Sequence, residues 1–106
     1  MSTKTYNDFL ASIKLMFIDN MMIGIPLGAT VKDTVSQAAL FGVDLAEQGM
    51  PWHMSISIAD KHELQNECMR VIVDAMFGSN GRDLASGIRT ICDSGITFGF
   101  QLKKGN

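Results

Sequence analysis

Residues 96–102, Ile96-Thr97-Phe98-Gly99-Phe100-Gln101-Leu102, alternate large apolar side chains with small or polar ones. Period-two alternation is the pattern of a half-buried β-strand, because successive side chains leave a pleated backbone on opposite sides. Residues 52–58 repeat it: Trp52, Met54, Ile56 and Ile58 alternate with His53, Ser55 and Ser57. These two stretches decide between an all-helical chain and a mixed one, and they predict two strands.

The remaining segments read as helices. Residues 60–77, DKHELQNECMRVIVDAMF, have Asp60 and Glu63 for a capping box and Gly78 for a left-handed C-terminal residue. Leu64, Cys68, Val71, Ile72, Ala75 and Met76 form its inward stripe, with Glu63, Glu67, Arg70 and Asp74 opposite. A shorter helix is expected from about residue 81 to 93, capped by Asn80 with Asp83 at its third position, and with Leu84, Ile88, Ile91 and Cys92 inward. Two helices between the strands return the chain to its starting end, which favours antiparallel pairing.

Upstream, Thr5 and Asp8 open a first helix that Gly24 and Pro26 close. Tyr6, Phe9, Leu10, Ile13, Met16 and Phe17 point inward, while Leu15, Ile18 and Met22 carry apolar character onto its outer side. Thr30 and Asp33 open a second helix that runs to about Gln48, before Gly49 and Pro51. Ala38, Gly42 and Ala46 recur along it every four residues, a stripe against which another backbone could pack closely.

The expected fold is one α+β domain over residues 1–106, in the order α-α-β-α-α-β. A lone strand pair is marginal and leaves two edges open, so a homodimer is expected, through a continued sheet or through the apolar first helix. Residues 16–22 and 71–77 are weakly alike, as a helix–helix–strand unit used twice would make them, though chance similarity between amphipathic helices is the favoured reading.

Several function classes lose ground on composition. Nine basic and eleven acidic residues, a net charge of -2, give no basic footprint for phosphate, so no nucleic-acid partner is expected and a DNA-binding regulator ranks third. The N-terminus lacks an apolar signal region, and the run from residue 15 to 27 is interrupted by Asp19, Asn20 and Pro26. With Cys68 and Cys92 inward as free thiols, the expected location is cytoplasmic, with no membrane association.

His53, His62, Cys68 and Cys92 lack the paired spacing of a zinc site. Met50, His53 and Met54 have soft donors for Cu(I), but an inward Met54 would remove one. No metal or cofactor is expected, and no nucleophile motif supports catalysis; Asp44 with Glu47 and Glu63 with Glu67 read as surface carboxylates.

Ser79, Asn80, Gly81 and Arg82 could form a small anion-binding loop before a helix, the alternative reading being a small-ligand binder or minor enzyme. The leading expectation is a protein-interaction module, an adaptor or inhibitor such as a viral accessory protein. It would bind its partner through Leu15, Ile18 and Met22, and through the uncharged strand face of Ser55, Ser57, Thr97 and Gln101.

Overall fold

The computed structural model describes residues 5–58, 60–78 and 83–105, and these fold as four helices with no strand among them. Helix α1 spans Tyr6–Met22, and its N-cap Thr5 accepts a hydrogen bond from the Asp8 amide. Gly24, with φ of 79°, then takes the left-handed conformation that ends it. Helix α2, Leu27–Glu47, starts three residues before the expected Thr30. Pro26 supplies its entry, and buried Thr30 instead accepts from the Asn20 side chain at 3.0 Å. Helix α3, Lys61–Phe77, is capped by Asp60 as expected, but Gly78 is extended rather than left-handed. A Cβ at Gly78 would run into Asp74, which explains glycine there without a special dihedral.

Helix α4, Leu84–Lys104, overturns the α+β expectation. Asp83, not Asn80, is its N-cap, accepting from the Ser86 amide at 2.7 Å, and the helix runs through the whole predicted strand at residues 96–102. Gly95, Ile96, Thr97, Phe98 and Gly99 are all buried. Five consecutive residues, Gly95 to Gly99, are buried between α2 and the segment carrying Trp52, so no polar position marks the 3.6-residue period inside that window and the local alternation of Phe98 and Phe100 imitates a strand.

The other predicted strand, residues 52–58, is neither helix nor strand and has no partner strand among the described residues. Its alternation is nevertheless real: Trp52, Met54, Ile56 and Ile58 are half-buried while His53, Ser55 and Ser57 are exposed. It lies across α4 as a strap. The strand leg of the suggested internal repeat therefore falls away, and so does a sheet continued through a dimer.

Residue pairings fix the topology. Phe9 stacks on Phe41 and Asn20 reaches Thr30, so α1 and α2 are antiparallel. Gly95 meets Ala38, Gly99 meets Ala39, and Gly42 meets Ile96 and Phe100, so α2 and α4 run parallel and touch backbone to backbone. Gly87 packs on Ala75 and Ile72, placing α3 on α4. Helices α1 and α3 sit on opposite sides of the α2–α4 pair and do not approach each other. The Ala38 and Gly42 stripe thus packs as its spacing predicts, and Gly95 and Gly99 answer it from α4. Phe17, Val35, Leu64, Ile72, Ile91 and Ile96 fill the core on either side of that contact.

Candidate interaction surface

Every fourth residue along one side of α4 holds something that crosses it. Tyr6 donates its hydroxyl to Asp93 Oδ1 at 2.6 Å, and Trp52 donates Nε1–H to Thr97 Oγ1 at 2.8 Å. The Gln101 amide accepts from the Ile56 N–H at 2.8 Å and donates to the Ile56 carbonyl at 3.0 Å. One side chain thereby satisfies both backbone groups of a strap residue, as a neighbouring strand would. The Tyr6 ring leans on Trp52, with Arg89 over its face, and Trp52 stacks on His53. Burial, with the hydrogen bond to Asp93, pushes the Tyr6 phenol up to about 12.

This ladder corrects the expectation for Thr97 and Gln101. Both were assigned to the exposed polar side of a strand, but Thr97 is fully buried and Gln101 is engaged by Ile56. Ser55 and Ser57 remain exposed on the strap. The i, i+4 spacing of Asp93, Thr97 and Gln101 was present in the sequence, but only a helical reading of residues 96–102 makes it visible.

The outer side of α1 carries a cluster of exposed apolar side chains. Leu15, Ile18 and Met22 are 59%, 55% and 79% exposed. They lie opposite the face that buries Phe9, Leu10, Ile13 and Phe17, so none of the three belongs to the core. Met21 and Ile23 extend the patch to the end of the bundle where α3 also terminates, and there Phe77 stands exposed. Neither α1 nor α3 has a basic residue in its last turn. The N-termini of α2 and α4 lie at the same end, so their positive dipole ends offset the negative ends of α1 and α3, and the greasy side chains are what distinguish that end.

The remaining candidates are dispersed. Cys68 and Cys92 are buried free thiols, each pushed up to about 12 by burial, while His53 and His62 are exposed. Met54 is half-buried and Met50 exposed, on the strap. Glu67 pairs with Arg70, and Glu47 pairs with Lys103, as solvated carboxylates do. Ser79, Asn80, Gly81 and Arg82 lie outside the described residues. Beside them, hydrogen bonds from Ser86 hold the Asp83 carboxyl below its ordinary range, which keeps a negative charge at the α4 N-terminus. An open cavity of about 270 Å³ between the strap and α4, lined by Ile56, Ile58, Phe98, Gln101 and Leu102, falls just under the roughly 300 Å³ at which small-molecule sites begin. Among the described residues, no helix is long and apolar enough to cross a membrane. Compared with protein-family models, curated proteins and solved structures, the chain matches none of them.

Proposed function

We propose that this chain is a protein-interaction module whose working surface is the outer face of α1, acting as an adaptor or inhibitor by covering a partner with that face. The observation that carries the reading is the exposure of Leu15, Ile18 and Met22 on a single outward stripe. Burying three such side chains stabilises an interface by several kcal/mol, at about 25 cal/mol per Å² of apolar area, whereas leaving them in water contributes nothing to the fold. Apolar patches of several hundred Å² on a protein surface are often functional.

The test is capture from the source cell with wild-type chain and with Leu15→Glu/Ile18→Glu as baits. A protein retained by wild type and lost by the double variant supports the reading. Equal retention by both places the working surface elsewhere.

A further inference from the structure

We infer that the outer face of α1 is occupied by α1 of a second copy of this chain, the two helices lying parallel and in register about a two-fold axis. The inference rests on reading that face as an interface, and it names the occupant. Spacing is the first support. Ala11, Leu15, Ile18 and Met22 follow one another at intervals of four, three and four, and all four are exposed. That is the a/d alternation at which side chains of two helices interlock as knobs in holes. The seam ends at Met22 because Gly24, with φ of 79°, stops the helix.

Charge sets the orientation. With Leu15 at a and Ile18 at d, Lys14 occupies g and Asp19 occupies e. In a parallel pair, g of one helix faces the e position five residues further along the other, so Lys14 meets Asp19 of the second copy, twice by symmetry. Antiparallel pairing would set g against g and e against e, so the Lys14–Asp19 match would not form. Within the chain neither makes a direct ion pair with a described residue, although Lys14 lies near enough to Asp83 at the α4 N-cap to help hold that carboxyl charged.

Area bounds the strength of the pairing. Leu15, Ile18, Met21, Met22 and Ile23 together expose on the order of 600 Å², against roughly 800 Å² per partner in a standard interface and a typical largest patch on a monomer of about 300–600 Å². A seam this short predicts reversible pairing. Leucine at a with isoleucine at d favours three or four strands in long coiled coils. Here α2 and α4 cover the inner half of each α1, and the narrow outward face left over fits a single neighbour.

Two variants test the geometry. Met22→Cys places equivalent thiols opposite each other in the parallel register alone, so a covalent dimer should form with oxidised glutathione; Cys68 and Cys92 are buried and do not compete. Lys14→Glu and Asp19→Lys should each weaken self-association about tenfold in sedimentation equilibrium, through loss and reversal of two exposed pairs, and the two changes combined should restore it. Wild-type chain that sediments as one copy at millimolar concentration, or Met22→Cys that yields no covalent dimer, overturns the self-pairing. If that monomer still captures a cellular protein through Leu15 and Ile18, the interaction reading stands and the occupant is a different chain.

Discussion

Gly42 and Gly99 carry the closest approach in the molecule, since a Cβ on either would collide with backbone of the facing helix, at Ile96 and Ala39 respectively. Backbone cannot swing aside as a side chain can. Gly42→Ala or Gly99→Ala should therefore cost about 1–3 kcal/mol or more in chemical denaturation, against the gain of up to about 1 kcal/mol that Gly→Ala gives in an open helix. Gly28, near the start of α2, has nothing within 4 Å of such a Cβ, and Gly28→Ala should be neutral or mildly stabilising. If all three behave alike, the tight α2–α4 contact is wrong. The buried thiols give a second residue-scale expectation. Cys68 and Cys92 are raised from 9.0 to about 12, so between those values the unfolded chain has released protons that the folded chain retains. Stability should then be intact below pH 9 and fall as pH rises towards about 12. Urea denaturation on either side of that window checks the sign, and a stability that rises through it contradicts the burial of the thiols. At this scale the sequence was informative: the inward places of Cys68, Cys92, Ala38 and Gly42, and the outward places of Leu15, Ile18 and Met22, all follow from helical spacing.

Elements were legible where caps and polar positions fell inside the stretch being read. Helix α3 has a wet face and a dry face, and its bounds could be read to the residue from Asp60 to Phe77. Helix α4 hides that contrast only over Gly95 to Gly99, where α2 comes in against the two glycines and five residues in a row are buried, so residues 96–102 read as a strand. The strap was wrongly read as a strand, because the alternating burial of residues 52–58 comes from lying on an apolar helix surface and not from pairing in a sheet. Gln101 is what holds it in place of a strand. Gln101→Ala removes both bonds to Ile56 and should loosen the strap locally by about 1–3 kcal/mol. Hydrogen exchange should then quicken at Ile56 and its neighbours while α1 to α4 stay protected; unchanged exchange at Ile56 would show that Trp52 and the apolar contacts suffice.

Across the whole molecule, one helix is held on a single side. Helices α2 and α4 lock through glycine and alanine and α3 closes one flank, but α1 attaches by one stripe and leaves Leu15, Ile18 and Met22 to solvent. The fold needs α1 for its inner face, and what remains outside is available for contact. Sedimentation velocity of wild type and Leu15→Glu/Ile18→Glu over a range of concentrations, with circular dichroism on the same samples, tests this most directly. Wild type should shift towards the mass of two copies as concentration rises, while the double variant stays a single copy with its helical spectrum intact. A wild type that stays single throughout would overturn the self-pairing, and a double variant that loses its helix signal would contradict the placing of Leu15 and Ile18 outside the core.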